Sequence, residues 1–243
     1  MNKTMTVIIT MAGLGLRFRE AGYDCPKYMI EVRGKTLFEW SMDSLRGYDA
    51  YVLKYVFVVR KEDNATDFIE KKCKKYGISN IELLELNDKT DGQATTCALA
   101  IPYCGQESEI MVYNIDTYVE PYELKYEDIL GDGHIPCFHA DGNHWSFVKT
   151  NKNNQVIEVR EKERISNNCT LGAYYFSSAN LYKKLYEEYY GDTSQAGETE
   201  KYIAPLYNLM LEKSMNVTYS IINEKKVHVL GTPEELNAFL RHK

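Results

Sequence analysis

The chain has no apolar run approaching the length of a membrane span, so it offers no candidate transmembrane helix. Its first ten residues lack a basic stretch followed by an apolar core and small residues, and no secretory signal is expected. The six cysteines, Cys25, Cys73, Cys97, Cys104, Cys137 and Cys169, form no Cys-x-x-Cys pair and have no histidine at zinc spacing. Neither a structural zinc site nor a disulfide framework is therefore expected; the thiols should be reduced and mostly buried, with the cytoplasm as the simplest compartment. An excess of positive charge is also missing. With 29 Lys and Arg against 35 Asp and Glu, the net charge is −6, which argues against nucleic acid as a partner, so any basic site must be local. No internal repeat or low-complexity linker divides the 243 residues, and one domain is the default. The 20 tyrosines are too scattered to define a stacking platform.

Two familiar phosphate-binding motifs are absent as well. The loop MAGLGLRFREAGYDCPKYMIEV, Met11 to Val32, follows the apolar run TVIIT, whose β-branched Val7, Ile8 and Ile9 predict a buried strand. Its glycines Gly13 and Gly15 lack the third glycine of the dinucleotide fingerprint, since Phe18 stands there, and no Gly-Lys-Ser/Thr follows. What remains is a looser cradle. Gly13 and Gly15 allow positive φ and expose backbone N–H groups, Arg17 adds a cation two residues on, and Lys27 behind Pro26 offers a second from the far end. A tight strand-to-helix turn would account for the glycines alone; the two cations point to a diphosphate or triphosphate.

The first half alternates strand and helix: TVIIT, TLFEWSMDSL, YVFVV, a helix from about Ala65 to Tyr76, IELLEL, QATTCALAIPYC and EIMVYNID. This predicts a mostly parallel sheet flanked by helices, with ligands beyond the carboxyl ends of the strands, where the glycine loop and Asp116 both fall. After Asp116 the pattern turns mixed: strands at WSFVKT, VIEVRE and TLGAYYF with the turn NKNNQ, helices at SSANLYKKLYEEYY and EKYIAPLYNLML, strands at VTYSII and KVHVLG, and a closing helix from Pro233 with Glu234 and Glu235 in its first turn.

MAGLGLRF followed by CPKYMIEV resembles the signature loop of the sugar-phosphate nucleotidyltransferases, the nucleoside-diphosphate-sugar pyrophosphorylases. TDGQATTCALA is similar to their base-binding segment, YNIDTY to their metal-binding strand end, REKERIS with LGAYYF to their acceptor elements, and GETEKYIAPLYNLM and VLGTPEEL to later segments. The order holds from about Thr6 to Leu236. The resemblance implies a Rossmann-like, GT-A-like α/β fold in one domain. Residues 1–116 would form its nucleotide-binding half and 117–243 its acceptor half. It also implies attack of an acceptor phosphate on the α-phosphorus of a nucleoside triphosphate with release of pyrophosphate, aided by magnesium or manganese.

By that resemblance Met11, Ala12, Gly13, Gly15, Asp91, Gly92 and Gln93 would bind the nucleotide. Arg17 and Lys27 would grip its phosphates, and Asp116 would bind the metal. Glu161, Lys162, Gly172 and Glu200 would bind the acceptor, Lys162 facing the attacking phosphate. A solvated charged segment is the alternative for REKER, and a turn cap for Asp116.

Two departures stand out. Many relatives carry a second metal-binding aspartate where this chain has Val229, and neighbouring His228 should face away from that position on a strand. The Met-Ala-Gly-x-Gly-x-Arg-Phe variant resembles capsule-type cytidylyltransferases, among them the phosphoglutamine cytidylyltransferase of capsular phosphoramidate synthesis, which implies CTP. A glycosyltransferase reading Asn114-Ile115-Asp116 as its acidic motif, and a non-catalytic nucleotide-binding module suggested by Val229, are the competing expectations. A homo-oligomer is left open.

Overall fold

The computed structural model describes residues 4–191 and 199–241. The strands are β1 (Met5–Thr10), β2 (Glu31–Val32), β3 (Lys35–Thr36), β4 (Val52–Arg60), β5 (Ile81–Leu86), β6 (Glu109–Asn114) and β7 (Thr117–Val119), followed by β8 (Gly133–His139), β9 (Ser146–Thr150), β10 (Val156–Glu161), β11 (Asn168–Thr170), β12 (Ala173–Phe176), β13 (Val217–Ile221) and β14 (Val227–Val229). The α-helices are α1 (Leu16–Glu20), α2 (Leu37–Ser44), α3 (Thr66–Lys75), α4 (Gln93–Ala100), α5 (Ala179–Tyr190), α6 (Ala204–Glu212) and α7 (Pro233–Arg241).

The large sheet runs β10-β9-β11-β8-β12-β6-β1-β4-β5, with β13 also paired to β8. Pairing is parallel from β6 through β1 and β4 to β5, and antiparallel from β6 to β12 and onward to β10. This is the mixed α/β sheet flanked by helices that the sequence predicts. Alternation along each strand sends Val7, Ile9, Phe57 and Met111 to a core under α2 and α3, and Ile8, Val56, Val58 and Val112 to a second core under α4, α5 and α6. Each such side chain, fully withdrawn from water, contributes roughly 1.5–3 kcal/mol of burial. A third, smaller cluster joins Phe18 of α1 to Leu236 and Phe239 of α7 and to Tyr118, and so draws the last helix over the glycine loop. Cys73, Cys97, Cys137 and Cys169 are buried, and all six cysteines are free thiols.

Two local expectations are corrected, and one strand is an addition to the sequence reading. The segment Gly133–His139 gives no strand signal because proline discourages one, yet it is β8, inside the sheet. Pro136 is tolerated because its carbonyl faces the break between β11 and β12, where Leu171 donates to it (3.4 Å), so no ladder partner is waiting for the missing N–H. Helix α6 begins at Ala204 rather than Glu200, with Pro205 in its first turn, which frees Glu200 to Ile203 as extended chain beside the cleft. Helix α4 ends at Ala100, and Ile101 to Tyr103 tighten into a 3₁₀ turn around Pro102. Gly197 and Glu198 of the GETEK segment lie outside the described residues.

Candidate active site

Parallel pairing of β1 with β6 sets Thr10 opposite Asn114, so the loops leaving these two strands open side by side at one edge of the sheet. They border a cleft of about 950 Å³. Gly13, Gly15, Arg17, Lys27, Asp91, Gly92, Gln93, Asp116, Glu161, Gly172 and Glu200 all line it, so the sequence-selected residues converge from six separate segments.

On one side lies the glycine loop. Gly15 sits at φ +61° as the residue before α1, and among the described residues the N–H groups of Gly13 and Leu14 donate to no protein acceptor. The buried Phe18 fixes the roll of the short α1, which leaves Arg17 exposed on the cleft side with no ion-pair partner among the described residues. Ala12 lines the cleft, whereas the Met11 side chain is buried in the core and its N–H is given to Val58 (2.8 Å). Met11 is thus a support rather than a lining residue.

Lys27 is aimed by its neighbours. Pro26 leads into a 3₁₀ turn whose next residue, Tyr28, is buried and donates to Asp63 (3.0 Å). With Tyr28 anchored, Lys27 reaches the other way and places Nζ 2.6 Å from Asp116 Oδ2.

The Asp91–Gly92–Gln93 turn is built by backbone contact. Gly92 has φ +148°, and a Cβ there would meet the Lys201 carbonyl oxygen at 2.2 Å, so only glycine fits. Asp91 holds this junction: its carboxylate receives Thr95 Oγ1, pairs with the buried Lys201 Nζ at 2.9 Å, and its carbonyl accepts from Lys201 N (2.7 Å). Gln93 Nε2 donates to Thr10 Oγ1 (3.2 Å) and to Asn114 Oδ1.

Across the cleft, β10 ends at Glu161 and the chain turns at Lys162, which has φ +55° and donates its N–H to Trp145 (2.8 Å). That turn lets neighbouring residues serve one site. Glu161 accepts from Ser146 Oγ, which also meets Tyr174 Oη (3.2 Å); burial pushes its carboxyl pKa up. Lys162 stands at the rim rather than in the lining, its ammonium on Tyr202 Oη and 3.6 Å from Glu200 Oε2. The hydrogen bond to Tyr202 raises its pKa. Gly172, at φ +79°, would place a Cβ 2.4 Å from Asn114 Nδ2, so its contribution is close packing of the β11–β12 break on β6.

Asp116 lies just past β6, and its carbonyl accepts from Leu230 N (2.8 Å). Val229 lines the cleft where the second aspartate was expected, and His228 faces away, stacked on Tyr118 at 5.3 Å. Among the described residues no three His, Cys, Asp or Glu side chains group as a metal cluster.

A solved nucleoside-diphosphate-sugar pyrophosphorylase from Vibrio cholerae RC9 is 36% identical, covering 97% of this chain and 100% of its own, with a TM-score of 0.88. The chain belongs to the sugar-phosphate nucleotidyltransferase family. The inositol-1-phosphate CTP transferase from T. maritima shares the fold at 20% identity (98% and 94% covered, TM-score 0.79), as does HddC from Yersinia pseudotuberculosis complexed with GMP-PN, at 20% identity (97% and 97% covered, TM-score 0.66). No protein-family model and no curated protein sequence matches it.

This nucleotidyltransferase has features that its sequence does not advertise. Lys201 is a buried lysine between Asp91 and the rings of Tyr186 and Tyr190, and nothing in the polar segment EKY marks it. Tyr202 is fixed by Tyr190, whose hydroxyl bonds both its N–H and its carbonyl. Asn114, the first residue of the acidic-motif reading, accepts a hydrogen bond from Gln93 Nε2 at its amide oxygen. Among the described residues no helix is long and apolar enough to cross a membrane.

Proposed function

We propose that this nucleotidyltransferase transfers CMP from CTP to the phosphate of a small acceptor, a sugar phosphate or a phosphoglutamine-like compound, with release of pyrophosphate, for capsule or surface-polysaccharide synthesis. The observation that carries the reading is the convergence, beyond the carboxyl ends of β1 and β6, of two glycine-loop amides and an Arg17 that have no protein partner among the described residues with the Lys27–Asp116 pair. The choice of CTP rests on the Met-Ala-Gly-x-Gly-x-Arg-Phe loop.

In this mechanism an acceptor phosphate oxygen forms a bond to the α-phosphorus, the bond to the bridging oxygen breaks, and its electron pair leaves on pyrophosphate. Both reactants are anions, so the protein's task is to align them and neutralise their charge. The Gly13 and Leu14 amides and Arg17 receive the β- and γ-phosphate oxygens and then the leaving pyrophosphate. Lys27 has three N–H donors and can hold Asp116 while it contacts the α-phosphate. Gly92 lets the base approach the backbone, with Asp91 and Gln93 fixing the turn. Lys162 meets the attacking phosphate from the rim, and Glu161 and Glu200 address the rest of the acceptor. Asp116 is the residue that would hold magnesium or manganese, a hard oxygen donor suited to either, and the ion would supply charge neutralisation at the phosphates. The test is a matrix of the four nucleoside triphosphates against phosphorylated acceptors, read as pyrophosphate release with magnesium or manganese. Release with CTP and one acceptor class is expected; release with no triphosphate would refute the reading.

A further inference from the structure

Glu235 stands at the cleft wall in the first turn of α7. Thr232 Oγ1 accepts its N–H (3.2 Å), and the next residue, Leu236, is buried against Phe18 and Tyr118, so the roll of the helix directs Glu235 into the cleft. A glutamate in a first helical turn is ordinary where it stays solvated. Here Oε2 is shut off from water and has no hydrogen-bond partner among the described residues. A carboxylate oxygen held in that state is costly unless a cation meets it. It also has a neighbour of like charge: a Cβ placed on Gly231 would lie 3.2 Å from Asp116 Oδ2 and 3.5 Å from Glu235 Oε2. Both oxygens therefore border one small gap, which exists because residue 231 has no side chain.

We infer that Glu235 and Asp116 together hold the divalent cation, Glu235 taking over the duty that Val229 cannot perform. The inference rests on the nucleotidyltransferase reading for the need of a metal, but its geometry does not. Two carboxylates beside the Lys27 ammonium leave a net negative charge for the ion. Triphosphate oxygens and water complete an oxygen shell of the kind magnesium and manganese prefer. The C-terminal helix thereby becomes part of the site, through a residue far from the glycine loop in sequence.

The test is titration of the full chain with Mn²⁺ alone, followed by the electron paramagnetic resonance signal of the free aqua ion. Glu235→Gln, Asp116→Asn and Gly231→Ala should each weaken Mn²⁺ binding at least tenfold, the last by filling the gap. Without metal, Glu235→Gln should melt at or above the wild-type temperature, since it removes an unpaired charge. Val229→Asp in the Glu235→Gln background should restore binding. Mn²⁺ affinity of Glu235→Gln within twofold of wild type would overturn the inference, as would a wild-type chain that does not bind Mn²⁺ at millimolar concentration. Pyrophosphate release by a wild-type chain whose Mn²⁺ binding ignores Glu235 would sink the inference and spare the functional reading. Glu235-dependent Mn²⁺ binding without pyrophosphate release would do the reverse.

Discussion

The two walls of the cleft are made in different ways. On the wall proposed for the nucleotide, the parallel strands β1 and β5 lead into loops whose shape is set by backbone: Gly15 at positive φ, and Gly92 pressed on the Lys201 carbonyl. On the wall proposed for the acceptor, side chains at the end of β10 and in the loops beside it hold one another: Lys162 on Tyr202 and Glu200, and Glu161 on Ser146. The first wall has little room to change without breaking. The second can exchange side chains while its strands stay put.

That contrast can be broken by mutation. The largest effect belongs to Asp116→Asn, which keeps the shape and removes the charge between the walls: kcat should fall at least about a thousandfold, some 4 kcal/mol of transition-state stabilisation, with the circular dichroism spectrum unchanged. Gly92→Ala should damage the nucleotide wall through its backbone, because a Cβ 2.2 Å from the Lys201 oxygen forces the turn apart. Its melting temperature should drop together with triphosphate affinity in calorimetry. Arg17→Ala, at an exposed position, should cost roughly a hundredfold in kcat/KM with almost no change in melting temperature. Lys162→Ala should raise KM for the acceptor several-fold and leave triphosphate binding, measured without acceptor, as it was; equal effects on both ligands would erase the distinction between the walls.

The smallest effects are in the pH dependence of stability, where the halves should differ in sign. Glu39, in the first half of the chain, is pushed up by burial but pulled down further by hydrogen bonds from Lys72, Lys75 and Thr36, to about 2. Its contribution is therefore present above the unfolded value near 4.5 and lost as pH falls toward 2. Glu161 is shifted the other way by burial, so it favours the folded state at low pH and opposes it as pH rises through its raised pKa. Urea unfolding across this range should show Glu39→Gln flattening the acid limb and Glu161→Gln gaining stability near neutrality.

The same contrast explains what could be read in advance. The first half of the chain was legible because its determinants are local: β-branched runs, glycines at loop starts and a Pro-Lys pair each act within a few residues. The second half was less so. β8 hides behind Pro136, whose missing donor matters only if a neighbouring strand is known to be interrupted there. Lys201 and Tyr202 gain their meaning from Asp91 and Tyr190, which the fold alone brings to them. Glu235 looked like a helix-start residue because a charged first turn explains itself without any cleft. His228 and Val229 were read correctly, since strand alternation is local even when its consequence is not.

The central claim is that the cleft directs attack to the α-phosphorus of a triphosphate. The direct test follows the label from [α-³²P]CTP and [γ-³²P]CTP, each incubated with the acceptor that supports turnover and with magnesium. The account requires the α-label in a nucleotide-linked acceptor and the γ-label in pyrophosphate. An α-label left in free CDP, with the γ-label on the acceptor or in orthophosphate, would contradict it.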